Sequence, residues 1–196
     1  MLRDGQARGA FIYGTNDALD AFDLTTGSTH LDHARRYRKA SGRRAYDFLV
    51  ARDLTVLISS RTQAAFADVS GWQTYAIGAE GSGESALKDF SGLTIGGRLQ
   101  IDNAKSQLVR DLQPGNGARW RGLFPDMTSW SGHDLCLAAD SVVIICTRKV
   151  REVAEQFGLT NIEFVPVAEA SNNLIRPYAW ELSPSADPDD TAVVKN

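Results

Sequence analysis

Val56-Leu57-Ile58-Ser59-Ser60-Arg61 returns 87 residues later as Val143-Ile144-Ile145-Cys146-Thr147-Arg148. In each copy three apolar, largely β-branched residues run together, as they do in a strand buried on both faces. A hydroxyl residue follows, of the type that satisfies an orphan N–H at a helix start. In register, Ile58 meets Ile145, Ser60 meets Thr147 and Arg61 meets Arg148. The helices that follow are predicted to run to Val69 and Phe157. Gly71 and Gly158 would end them, because glycine tolerates the positive φ of a helix C-terminus. A further strand follows each glycine, around Tyr75-Ala76-Ile77 and Ile162-Glu163-Phe164. In the second copy Val150, Val153, Ala154 and Phe157 fall at i, i+3, i+4 and i+7, an apolar stripe that packs on a sheet. Residues 54–78 and 141–166 therefore read as two similar strand–helix–strand units with parallel strands. They make the chain α/β or α+β, with a mixed sheet. A true duplication and a recurring β-α-β grammar both produce such a repeat.

The surrounding chain supplies shorter elements. The first residues are polar and read as loose. Ala10 to Tyr13 starts a strand that stops at Gly14, and Thr15-Asn16-Asp17 reads as a turn or helix N-cap. Leu24 to Arg44 is polar and reads as a solvated loop or helix face. It carries Arg35, Arg36, Arg38, Lys39, Arg43 and Arg44, a cluster that would also suit an acidic partner. Tyr46 to Val50 is a short strand, and Ala79 to Glu84 a flexible loop. Phe90 to Ile101 reads as two short strands around Gly96-Gly97, or one bulged strand. Asp102 to Asp111 is expected to be a short helix capped by Asp102, and Gln113 to Gly117 a turn. Residues 1–182 are expected to form a single globular domain, and the Ser/Pro/Asp-rich residues 183–196 a disordered tail.

The composition sets limits on function. A chain of 196 residues, 43% hydrophobic, can bury a core without disulfides. A net charge of −3 creates no field that points to nucleic acid or to an anionic membrane. Cys136 and Cys146 sit in apolar surroundings, as free thiols do in a reducing compartment. The apolar run Val142 to Cys146 is too short to cross a bilayer, and the first residues lack the apolar core of a signal peptide. The expectation is a cytoplasmic protein with neither a membrane nor a nucleic-acid partner.

Enzyme signatures are missing. There is no phosphate-binding Gly-x-x-x-x-Gly-Lys loop, and Gly81-Ser82-Gly83-Glu84 does not make a dinucleotide turn. Gly-x-Ser-x-Gly, His-Glu-x-x-His and Cys-x-x-Cys are also absent from the sequence. No cofactor and no metal is therefore expected, and His30, Asp32 and His33 read as a polar loop. One nucleophilic constellation is conceivable: Cys146 before a helix start, where the dipole lowers a thiol pKa, with His133 and Asp134 upstream. Against it, Cys146 aligns with Ser59 and so fills a structural slot at a strand end.

Two features suit a protein partner. Asp17, Asp20 and Asp23, three apart, can form an acidic face. Arg119-Trp120-Arg121 and the later Trp130 and His133 place aromatics among basic and turn-forming residues, as at an interaction hot spot. From Ser106-Gln107-Leu108 the chain continues through Trp120-Arg121-Gly122-Leu123, Trp130-Ser131-Gly132-His133-Asp134-Leu135, Thr147-Arg148-Lys149-Val150 and Leu159-Thr160-Asn161-Ile162. This run resembles bacterial immunity proteins of polymorphic toxin systems, the myxobacterial-type, double-CxxCG-related group. The resemblance covers about residues 90 to 167 and rests on a Trp-x-Gly-x-Asp element, a strand, a capped helix and a Leu-Thr-Asn turn. The chain departs from that group in having no CxxCG pair. Trp130, Gly132 and Asp134 carry over as matching positions, expected to be structural. The resemblance implies a cytoplasmic protein that neutralises a cognate toxin by binding it. The alternatives are a Cys146-centred enzyme and a regulatory module holding a small ligand between the two units.

Overall fold

In a computed structural model of the protein the two repeated stretches become two halves with one strand order. The structure describes residues 1–5, 7–8, 10–15, 21–29, 31–81, 87–110, 118–138 and 141–173. The first elements are β1 (Leu2–Asp4), β2 (Ile12–Gly14), α1 (Ala21–Thr26), β3 (Arg35–Ser41), β4 (Phe48–Val50) and β5 (Val56–Ser59). Then come α2 (Ser60–Ala65), β6 (Trp72–Tyr75), β7 (Ile77–Glu80), β8 (Phe90–Ile95) and β9 (Gly97–Leu99). The second half follows with β10 (Gln107–Arg110), β11 (Ala118–Arg121), β12 (Leu135–Ala138) and β13 (Ile144–Cys146). It ends with α3 (Arg148–Gln156), β14 (Ile162–Phe164) and β15 (Ser171–Asn173).

The first central sheet has the order β4-β5-β8-β6, and the second has β12-β13-β1-β14, with β9 added outside β12. In each, a hairpin leads into a helix, and the helix into a strand two places away. The gap is filled by a strand antiparallel to both neighbours. In the first half the filler is β8, which follows β6. In the second it is β1, from the far end of the chain, so the halves are circularly permuted relative to each other. The two strands flanking each helix do run parallel, as expected, but never side by side.

The flanking sheets repeat the scheme. Each takes the two strands before a half's first hairpin and the strand that follows its helix-linked strand β6 or β14, giving β2-β3-β7 and β10-β11-β15. They differ in that β3 and β7 are parallel whereas β11 and β15 are antiparallel.

Packing follows the period-2 alternation of strands. Phe48, Val56 and Ile58 join Phe66, Leu93 and Ile95 in one cluster with Leu2, Leu135, Leu137, Ile144, Val150 and Ala154 of the second half. Leu49 and Leu57 point the other way, onto Tyr13, Tyr37 and Leu87. Cys136 and Ile145 likewise face Met1, Leu99 and Leu123. Both central sheets are thus covered on both faces, which is why their strands read as unbroken apolar runs. Full burial of each Leu or Ile contributes about 1.5–3 kcal/mol.

Several sequence expectations need correction. The first residues are not loose: Leu2 pairs with both Ile144 and Phe164. Arg3 pairs with Glu163 across the same strands, and Nε donates to Oε2 over 2.8 Å. Helix α2 stops at Ala65 rather than Val69, and the indole N–H of Trp72 takes the Phe66 and Val69 carbonyls at 3.2 and 2.8 Å. Gly71 does not end that helix. It opens β6, with φ +91°, where a Cβ would collide with the Leu135 carbonyl. Gly158 does follow the end of α3, one residue past its C-cap Phe157, and its N–H donates to Glu155 O. The residue equivalent to Thr147 is Ser59, not Ser60: both are N-caps, at an offset of 88. The α3 stripe buries Val150 and Ala154 but leaves Phe157 exposed.

Within Leu24 to Arg44 lies strand β3, not a loop or helix face; it buries Arg35 and Tyr37 and exposes Arg36 and Arg38. Asp102 starts a turn instead of a helix, accepting the Ala104 and Lys105 N–H groups, and β10 follows. Ala79 and Glu80 belong to β7. Residues 16–20, His30, 82–86, 111–117 and the tail 183–196 lie outside the described residues. Among the described residues no helix is long and apolar enough to cross a membrane.

Candidate functional site

Two aspartates organise the contact between the halves. Asp47 stands just before β4, and Asp134 just before β12. Each accepts a hydrogen bond from the N-cap hydroxyl of its own half's helix: Ser59 Oγ to Asp47 at 2.8 Å, Thr147 Oγ1 to Asp134 at 2.9 Å. Each pairs with the second residue of that helix, Arg61 and Lys149, at 3.0 Å in both cases. Each is also gripped by the opposite half. Thr160, after α3, donates its N–H and hydroxyl to Asp47 at 2.9 and 2.7 Å. Ser70, after α2, donates both groups to Asp134 at 3.0 and 3.1 Å. The cations repeat the exchange, Arg61 reaching the Phe157 carbonyl and Lys149 the Asp68 carbonyl.

These networks set the protonation of both carboxyls. Burial pushes Asp134 up, but the bonds from Ser70, Lys149 and Thr147 outweigh it and hold the group at about 2. Burial acts likewise on Asp47, and Thr160, Ser59 and Arg61 bring it below the usual carboxylate range. Asn161, whose backbone is left-handed at φ +62°, completes the seam. Its amide donates to Phe48 O and its side-chain oxygen accepts the Ala7 N–H, both at 2.7 Å. The Thr160-Asn161 turn and Asp134 are therefore structural, joining one half to the other.

The connection from Gly122 to Asp134 carries a different feature. Leu123 N–H donates to Val167 O at 2.7 Å, and Gly122 N–H to Ala170 O at 2.8 Å, clamping its start. Its middle is clamped to the β9 exit: Asp126 N–H to Gln100 O at 2.9 Å, and Gln100 N–H to Ser129 Oγ at 2.8 Å. Asp126 caps a single 3-10 turn, Met127–Ser129, by accepting the Thr128 N–H and hydroxyl at 3.0 and 2.7 Å. The turn holds Met127 60% exposed and Trp130 42% exposed. Trp130 is oriented from below, its indole N–H donating to the His133 carbonyl at 2.9 Å. His133 itself sits over Gly71 and Gly97, where any Cβ would meet His133 Cβ and the Leu135 carbonyl.

The structure thus brings Trp130 and His133 together, as the sequence suggests, and adds Met127, which no sequence pattern marks. Arg119, Trp120 and Arg121 form β11, opposite Val109, Leu108 and Gln107 on one side and Asn173, Asn172 and Ser171 on the other. Asp23 lies in the first turn of α1, where its carbonyl accepts the Ser28 N–H at 2.9 Å. Asp17 and Asp20 lie outside the described residues.

The surroundings of Cys146 bear on the alternative of a nucleophile there. Burial pushes its thiol up, and the neighbouring charges of the N-terminus and Arg151 do not reverse this. Asp134, the supposed orienting carboxylate, is occupied by Ser70, Thr147 and Lys149. His33 is exposed, and among the described residues no three His, Cys, Asp or Glu side chains gather in a metal-binding set. What the braced Met127–Trp130 turn offers is contact: a rigid aromatic and a pliable thioether beside each other in solvent. No family model matches the chain, and no curated protein matches it.

Proposed function

We propose that the protein is an immunity protein that binds a cognate bacterial toxin domain and neutralises it by protein–protein contact. The observation that carries the reading is the braced turn that presents Trp130 and Met127. Tryptophan is the side chain most enriched at interface hot spots, and methionine adapts to an irregular partner surface. A turn already fixed by backbone hydrogen bonds at Gly122, Leu123 and Asp126 loses little entropy on binding. The resemblance of residues 90–167 to toxin-immunity proteins supplies the class of partner. A cytoplasmic location belongs to the same proposal.

The test is a calorimetric titration of the full chain against the toxin domain encoded beside it. A tight one-to-one complex that abolishes toxin activity is expected. Trp130→Ala should weaken it by about tenfold to a thousandfold, within the range of a hot-spot truncation. A folded chain that leaves the toxin unbound and active would overturn the proposal.

A further inference from the structure

The strongest unassigned feature is the outer face of the β2-β3-β7 sheet. From His33 to Tyr46 the sequence has six cationic side chains and no acid, in a chain whose net charge is −3. The fold sorts them. Arg35 turns inward to Asp53 at 2.9 Å, and Arg36 and Arg38 turn outward, exposed. Their Cα atoms are two strand steps apart, about 6.7 Å. One cross-strand neighbour of each is a glycine, Gly78 beside Arg36 and Gly14 beside Arg38.

A seventh cation arrives from elsewhere. The exposed Arg52 donates its backbone N–H to Tyr13 O at 2.8 Å, and its side chain lies against Gly14. Arg43 and Arg44, also exposed, are held beside β2 by the Phe11 N–H to Arg44 O bond at 2.8 Å and by Gly42, packed on Ala10. Lys39 stands 3.9 Å over the Phe11 ring. Among the described residues the acid paired with this face is Glu80, 3.6 Å from Arg38, whose side chain stays 70% exposed. Asp53 is turned away, toward Arg35 and Thr55. The exposed aliphatics Ile12 and Leu54 stand in β2 and in the turn that carries Arg52.

We infer that this face is a docking surface for an acidic polypeptide segment. In an extended segment, alternate side chains repeat at the spacing of Arg36 and Arg38, so successive carboxylates meet successive guanidiniums in bidentate pairs. Ile12 and Leu54 offer apolar contact to a residue of the same face of the segment, beyond its carboxylates. Aliphatic side chains suit a polypeptide better than a nucleic acid, whose bases stack on exposed aromatics. The acidic balance of the whole chain also opposes a long polyanion.

The experiment is fluorescence anisotropy with the full chain and a labelled peptide of alternating Glu and Val, with a single-stranded RNA oligonucleotide of equal charge as competitor probe. Peptide binding at low ionic strength is expected, falling as salt is raised. Arg36→Glu/Arg38→Glu should weaken it at least about tenfold, and Arg52→Glu by several-fold. Arg151→Glu, which changes the net charge by as much as Arg52→Glu but on α3, should leave it within about twofold. Arg36→Gln/Arg38→Gln gives the same reading without new repulsion if the first variant fails to fold. No peptide binding, binding indifferent to Arg36 and Arg38, or tighter binding of the RNA through these arginines would overturn the inference.

Discussion

The carboxylate of Asp47 accepts both the N–H and the hydroxyl of Thr160, 113 residues away, at 2.9 and 2.7 Å. Asp134 receives the same two groups from Ser70, 64 residues away. The halves are therefore joined by two reciprocal charge-assisted networks. Hydrogen bonds to a charged acceptor are among the stronger ones, and a donor left buried and unmade is costly.

Removing either carboxylate should accordingly destabilise the whole protein. Asp47→Asn and Asp134→Asn are each expected to lower the unfolding free energy by about 2–4 kcal/mol in urea titrations. Thr160→Ala, which deletes one donor, should cost about 1–2 kcal/mol. If both aspartate variants melted like the parent, the networks would contribute nothing to cohesion.

The same groups set the acid limb of stability. A carboxyl whose folded pKa is depressed contributes stability that is complete above its unfolded pKa, about 4, and is lost as pH falls through the folded value. For Asp134 that value is about 2. Roughly 2 kcal/mol should thus disappear between about pH 4 and pH 2 on its account. Denaturation of Asp134→Asn over this range should show a flatter limb than the parent, and parallel limbs would refute the assignment.

Gly92 is a glycine for a steric reason. A Cβ there would fall inside the ring of its cross-strand partner Tyr75, whose hydroxyl lies 3.3 Å from that of Tyr37. Gly92→Ala should cost about 2–4 kcal/mol through overpacking. In a Tyr75→Ser background the same substitution should cost less than about 1 kcal/mol. A double-mutant cycle with no coupling would rule out the clash.

Cys146 should behave as a sluggish thiol. Burial raises its pKa, so iodoacetamide at mildly alkaline pH is expected to label it more slowly than a free cysteine, with labelling accelerating in denaturant. Labelling of the native protein faster than free cysteine would revive a nucleophilic role.

What was legible in the sequence was local chemistry. Val56-Leu57-Ile58 and Val143-Ile144-Ile145 announce buried strands, and Ser59 and Thr147 announce helix starts, because those preferences depend on near neighbours. Gly71 misleads because a helix end and a close approach to Leu135 both demand glycine. Strand β3 hides because the inward Arg35 erases the alternation that Tyr37 would otherwise reveal. Strand β1 hides because two charged residues, Arg3 and Asp4, follow Leu2, and the apolar cover comes from Ile144 and Phe164. Of the candidate site, Trp130 and His133 could be picked out by residue type. The exposure of Met127, and the arrival of Arg52 beside Arg38, depend on turns whose partners are remote in sequence.

The place of β1 also sets an order of events. Leu2, Arg3 and Asp4 leave the ribosome long before their partners, and they cannot be paired on both sides until Phe164 has been made. The first half owns all four strands of its central sheet by Ile95 and can close while synthesis continues. The second half must recapture a strand from across the entire domain, a long-range closure of the kind that slows folding. In a refolding experiment, protection of the β5 and β8 amides from exchange should precede protection at β13 and β14, so that β1, made before both of its partners, is among the last strands to find its neighbours.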